Sequence, residues 1–173
     1  MEIFDLFDKN RLPLNRTMER GTKVPDGCYR MVVHCIILNK AKDKMLIQKR
    51  LPEKRPFPGM WDFSCGGSSI SGENSAESVH RELLEELGFD YDFSNERPAF
   101  TFNFDCGFND IYIISEDIDL STLKLQETEV EKVEWATKDQ IKHLLDTKEF
   151  IPYRKSLIDF IFELNTTRTI RPQ

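Results

Sequence analysis

The chain has 173 residues, 39% hydrophobic and 31% charged, enough for one domain with its own core and too few for a multidomain machine. Its 30 acidic against 24 basic residues give a net charge of −6, the wrong sign for a surface that coats nucleic acid. No 18 apolar residues run together, so no membrane passage is expected, and the start Met-Glu-Ile-Phe-Asp is too charged for a signal peptide.

Residues 2–7 and 12–17 read as two short strands around the polar turn Asp8-Lys9-Asn10-Arg11, a hairpin ahead of the main fold. From Cys28 to Leu38 the chain is almost continuously apolar and β-branched, which predicts a central strand interrupted only by His34. A second strand is expected over Lys44–Arg50, and a proline-punctuated loop separates it from a third over Trp61–Cys65. After a loop beginning at Gly66, apolar or small residues at Ala76, Val79, Leu83, Leu84 and Leu87 recur at helical spacing, and Gly88 ends that helix. Phe100, Phe102 and Phe104 alternate with polar residues before Ile111–Ile114, a hairpin turning at Cys106-Gly107. A strand over Val130–Trp135 comes next. Thr137 and Gln140 form a capping box for a helix to Leu145, and Pro152 is expected to open a last helix with Leu157, Phe160, Ile161 and Leu164 on its apolar face. Strands and helices mix without a regular βαβ rhythm, which points to an α+β class.

Within residues 67–89, five glutamates face one arginine, so a charge of −4 is concentrated there. Glu82, Glu85 and Glu86 stand at i, i+3 and i+4 and fall within roughly one third of the helix circumference. Like charges at i,i+4 repel by a few tenths of a kcal/mol when exposed, and no lysine lies in the segment to offset them. A solvated face would alternate signs; stacked carboxylates beside a glycine-rich loop suit a hard divalent cation such as Mg²⁺ or Mn²⁺, which takes oxygen ligands and is usually shared with substrate phosphates.

The segment resembles the Nudix signature G-x5-E-x7-R-E-U-x-E-E-x-G-U at Gly67, Glu73, Arg81, Glu82, Leu83, Glu85, Glu86, Gly88 and Phe89, where Phe89 stretches the definition of the apolar position U. The resemblance extends to PGMWDFSCGG ahead of the box and to EVEKVEW, residues 129–135, after it. It implies an α/β/α sandwich with a mixed β-sheet over residues 28–165, with residues 1–27 as a hairpin extension and 166–173 as a tail. It also implies a hydrolase of a nucleoside diphosphate linked to another group, with metal-activated water as nucleophile. By the same resemblance Glu82, Glu85, Glu86 and the Gly66 carbonyl hold the metal, while Arg81 and Glu73 orient helix and loop. For the general base Glu82, Asp110 and Glu129 are all candidates.

Between Lys40 and Arg55 seven basic residues stand against two acidic ones. Lys40, Lys42 and Lys44 read as solvated, whereas Arg50 and Lys54 are expected to bind the diphosphate, since it needs cationic donors beyond the metal. The stretch MLIQKRLPEKRPFPGMW also resembles bacterial isopentenyl-diphosphate isomerase, a Nudix-fold enzyme with diphosphate-binding residues at the positions of Arg50 and Lys54. An isomerase is therefore one alternative and a non-catalytic nucleotide sensor another. Cys65 lies one residue before the isomerase's catalytic position, which on a strand reverses its face, Ser68 stands where that enzyme has a metal-binding histidine, and the complete glutamate set favours a hydrolase. Cys28, Cys35, Cys65 and Cys106 lack zinc spacing and read as reduced thiols of a cytoplasmic protein. His34 is expected to be structural, and His80 and His143 to lie at the surface. The alternating aromatics Phe102, Phe104, Phe108 and Tyr112 are expected mainly in the core. The partner expected is a small diphosphate substrate, with no bulk nucleic acid and no membrane.

Overall fold

The computed structural model describes residues 2–164; the tail expected at 166–173 lies outside the described residues. In chain order the elements are β1 (Ile3–Phe7), β2 (Pro13–Glu19), β3 (Arg30–Leu38), β4 (Lys44–Arg50), β5 (Trp61–Asp62), β6 (Cys65–Ser68), α1 (Ser75–Leu87), β7 (Phe100–Phe104), β8 (Gly107–Ser115), β9 (Val130–Thr137), α2 (Lys138–Asp146) and α3 (Lys155–Leu164). They gather into two compact units. Among the described residues, the first comprises those up to Ile36 with Cys65–Ile113, the second Ile37–Ser64 with those from Ile114 to Leu164.

In the first unit β1 and β2 form the expected antiparallel hairpin, with Phe4 opposite Met18. Its turn is tied by Asp8, whose carboxylate accepts the backbone N–H groups of Asn10 and Leu12. Alternation drops Phe4, Leu6 and Met18 onto Cys28 in a small apolar cluster, against which Ile70 packs. β6 pairs antiparallel with β3, Cys35 opposite Cys65 and His34 opposite Gly66, and β7 pairs antiparallel with β8. β8 neighbours β3 and begins where Arg30 donates its N–H to the Cys106 carbonyl. Val79, Leu83 and Leu87 of α1 are fully buried.

In the second unit β4 pairs antiparallel with β9 along nearly its whole length and with β5 at its end. β3 and β8 end here, where Glu116 donates its N–H to the Leu38 carbonyl. Since Arg30 meets Cys106 at the other end of the pair, the two strands run parallel within an otherwise antiparallel sheet, which makes it mixed. Thr137 and Gln140 make the capping box of α2 in both directions.

Three expectations are corrected. The single strand expected over 61–65 is two, β5 and β6, because Ser64 turns inward, accepting the Ile37 N–H at 2.8 Å and donating to the Leu46 carbonyl. Gly66 and Gly67 then belong to β6 rather than to a loop. The last helix starts at Lys155, not at Pro152. Ile151 donates its N–H to the Trp61 carbonyl, and Tyr153 is stacked on Phe63 at 4.3 Å with its hydroxyl on Asp62, which holds the segment extended. In α1, Leu84 is 44% exposed and Glu86 only 5%, the reverse of their hydropathy.

Candidate active site

The acidic helix is built by ordinary capping. The Asn74 side chain accepts the N–H groups of Ala76 and Glu77, Glu77 reaches back to the Asn74 N–H at 2.8 Å, and Gly88 closes the other end with φ 64°. Val79, Leu83 and Leu87 face the core, and this rotates Glu86 and Glu82 toward β6, while Glu85 stays half exposed. Glu86 accepts the Gly66 N–H at 3.2 Å. The Glu82 carboxylate lies so close to Gly67 that a Cβ there would meet its oxygen at 2.2 Å, so a larger residue would push that carboxylate out of its present position.

Behind the carboxylates, Arg81 works as a distributor. Its Nε donates to Glu73 at 2.7 Å, its Nη1 to Glu82 at 2.9 Å and to Glu85 at 3.1 Å, and its Nη2 to the Ser68 carbonyl at 3.0 Å. Burial works against the charge on Arg81, yet Glu73 and Glu82 raise its pKa. Burial also works against the Glu73 anion, but the bonds from Arg81 and Ser78 outweigh it and hold that carboxyl below its ordinary value. Glu82 shows the opposite balance: burial pushes it up to about 7, more than Arg81 pulls it down, and Glu85 and Glu2 add repulsion.

The three carboxylates are therefore assembled on one side of α1 beside the glycines of β6. Among the described residues, no three His, Cys, Asp or Glu side chains converge into a ready-made metal cage. Glu82 and Glu85 are instead turned onto Arg81, and Glu86 onto Gly66. The donor set nonetheless fits a hard divalent cation, being all oxygen, with one arginine among the carboxylates.

Other candidates are placed elsewhere. Asp110, 1% exposed, receives Arg11 through both guanidinium Nη atoms at 3.0 and 2.6 Å, Thr101 at 2.6 Å and Ser75 at 2.7 Å. Burial alone would raise its pKa, but these donors hold it below the ordinary value, and both oxygens are occupied. Arg50 and Lys54 lie in the second unit. Lys54 is ion-paired with Glu129, which engages that base candidate as well, whereas the Arg50 Nε is buried without a hydrogen-bond partner among the described residues.

Cys65 is fully buried opposite Cys35, and its thiol is pushed up by burial first and then by Cys35 and the nearby Glu86 and Glu82. A buried, protonated thiol is a poor nucleophile or acid–base group. His34 holds Asn109 at 2.9 Å across the sheet, and His80 sits at the surface against Asp90. Phe108 and Tyr112 are buried as expected, while Phe102 is 38% exposed. Sequence reasoning misses Asp5 and Arg11, because a lone carboxylate and a turn arginine carry no periodic signal.

The NUDIX domain model matches residues 29–159. The chain belongs to the Nudix family. A Nudix hydrolase of Listeria innocua is 41% identical over 170 residues, covering 98% of this chain and 99% of the relative. Among solved structures, the protein DR0079 of Deinococcus radiodurans has the same fold at a TM-score of 0.74 and 23% identity, covering 94% of this chain and 98% of that one. An isopentenyl-diphosphate isomerase of Halorhodospira halophila is 33% identical over 73 residues, 42% of each chain. This Nudix protein is accordingly an α+β hydrolase of the family's sandwich type, and among its described residues no helix is long and apolar enough to cross a membrane.

Proposed function

We propose that this Nudix hydrolase cleaves a diphosphate linkage, a nucleoside diphosphate joined to another group, with Mg²⁺ or Mn²⁺ held by Glu82, Glu85, Glu86 and the Gly66 carbonyl. The observation that carries the reading is the set of three carboxylates on one side of α1, tied to Arg81 and the Gly66 N–H. A bound divalent ion would supply positive charge at the phosphate oxygens and a more acidic water. Arg81 orients Glu82 and Glu85 and is itself oriented by Glu73. Gly67 admits the Glu82 carboxylate against the strand. Arg50 has a buried donor without a partner among the described residues, which suits it to a phosphate oxygen, whereas Lys54 would first have to leave Glu129. With Asp110 saturated and Glu129 ion-paired, a box glutamate such as Glu82 is the base this reading favours. The small-molecule substrate is sought among nucleotide sugars, dinucleoside polyphosphates, coenzyme A, nicotinamide dinucleotides and isoprenoid diphosphates.

The test is turnover in ¹⁸O-labelled water with Mg²⁺ or Mn²⁺. Label is expected on a phosphate of one product. Conversion of isopentenyl diphosphate to its allylic isomer, with solvent deuterium entering carbon and no labelled phosphate, would overturn the hydrolytic reading.

A further inference from the structure

The N-terminal hairpin lies outside the matched family region, which begins at residue 29, yet it is bonded to the loop that feeds the acidic helix. The Ile3 carbonyl accepts the Ser71 N–H at 2.7 Å. The two oxygens of Asp5 accept the Ser71 hydroxyl at 2.7 Å and the Gly72 N–H at 2.8 Å. Ile70, the preceding residue, packs against the hairpin's apolar cluster. On the far side of Glu73, the hairpin turn reaches the start of α1: Arg11 binds Asp110, and Asp110 accepts the hydroxyl of Ser75.

Glu73 is thus clamped from both sides by an element outside the box. Between the two ties the hairpin does not pack flush but leaves a cleft of about 560 Å³, lined in part by Phe7, Pro13, Met31 and Phe108. The polar bonds, together with the packing of Ile70, set how the loop meets the hairpin. Glu73 passes the constraint on, since its carboxylate aims Arg81, and Arg81 aims Glu82 and Glu85.

We propose that the hairpin, through Asp5, is a positioning element of the carboxylate site, fixing the Ser71–Glu73 segment and with it the Glu73–Arg81 pair that directs Glu82 and Glu85. The inference rests on the metal-site reading above. Asp5 touches no reacting group; it acts through the loop. Groups bonded directly to metal ligands, as Arg81 is to Glu82 and Glu85, typically change metal affinity by about 10–100-fold when removed, and Asp5, which acts on Arg81 only through the loop and Glu73, is expected at the low end of that range.

The experiment titrates the full-length, metal-free chain with Mn²⁺ and reads the free ion by electron paramagnetic resonance, alongside kcat and KM for whichever diphosphate substrate is turned over. Asp5→Ala is expected to raise the Mn²⁺ dissociation constant by about 10-fold and to lower kcat with little change in KM, while exchange of the Gly72 amide accelerates. Asp5→Asn, which keeps one acceptor oxygen, should stay within about 3-fold of the unaltered chain. Ile158→Val, which destabilises α3 in the second unit, should leave Mn²⁺ binding unchanged. Should Asp5→Ala fail to fold by circular dichroism, Ser71→Ala removes one tie and is expected to weaken Mn²⁺ binding by about 3-fold. Folded Asp5→Ala that binds Mn²⁺ as tightly as the unaltered chain, or an equal loss in Ile158→Val, overturns the hairpin's role. No Mn²⁺ binding by the unaltered chain would instead overturn the metal-site reading itself.

Discussion

Asp110 and Glu82 are both largely buried carboxylates of the first unit, and their surroundings drive them in opposite directions. Asp110 collects Arg11, Thr101 and Ser75 and is held below its ordinary pKa. Glu82 has one bond from a guanidinium shared with Glu73 and Glu85, and burial wins, raising it to about 7. On the metal-site reading proposed above, the difference separates an anchor from a working group. A carboxylate whose lone pairs are filled by protein donors stabilises the fold, whereas one kept short of donors leaves capacity for something else to bind.

Removing the anchor should give the largest effect on stability. Asp110→Ala leaves Arg11, Ser75 and Thr101 without their common acceptor, and we expect a loss of about 3 kcal/mol in urea unfolding, the low end for a broken buried pair because Arg11 is 40% exposed. A loss below about 1 kcal/mol, typical of a surface pair, would collapse the contrast.

The working side should respond in the reverse sense. Glu86→Gln is expected to lower kcat by at least about 10²-fold, equivalent to roughly 2.7 kcal/mol, with stability unchanged or slightly raised because a like charge is removed from the helix. Near-normal turnover at saturating Mg²⁺ would remove Glu86 from the site.

The two cations of the second unit sharpen the same distinction between filled and unfilled groups. Arg50→Ala should weaken kcat/KM by about 10-fold, and Lys54→Ala, whose ammonium is already paired with Glu129, by about 3-fold or less. Equal effects would show that pairing in the free protein does not predict use by substrate.

A pH experiment checks the anchor more gently. The folded pKa of Asp110 lies below its unfolded value, so its contribution is present above about pH 4 and is lost as pH falls through the folded value. The stability gap between the unaltered chain and Asp110→Asn should accordingly narrow below about pH 4. A gap that widens there would mean the donors around Asp110 do not favour its anion. The smallest effect is expected for Cys65→Ala, with activity within about 2-fold, since the thiol is buried, protonated and opposite Cys35.

Much of the molecule is legible in the order of its residues. Spacing alone places Glu82, Glu85 and Glu86 on one side of a helix ended by Gly88, because 3.6-residue periodicity is a property of the backbone. The polar turn between two short strands locates the first hairpin and alternation of period two the second, and the box residues suffice to identify the family that the domain match shows. Hydropathy could not reveal that Leu84 faces outward and Glu86 inward, since the side a helix buries depends on what packs against it. Nor could it foresee that Ser64 would break one strand into two by bonding to Ile37 and Leu46, or that Tyr153 would delay α3 by reaching Asp62. Least legible were the partners distant in sequence: Arg11 lies 99 residues from Asp110, and Asp5 lies 67 residues from Gly72. Local chain geometry and residue chemistry determined the elements and the acidic box. Only tertiary packing decided which carboxylates would be filled and which left short, because that depends on donors brought together from remote parts of the chain.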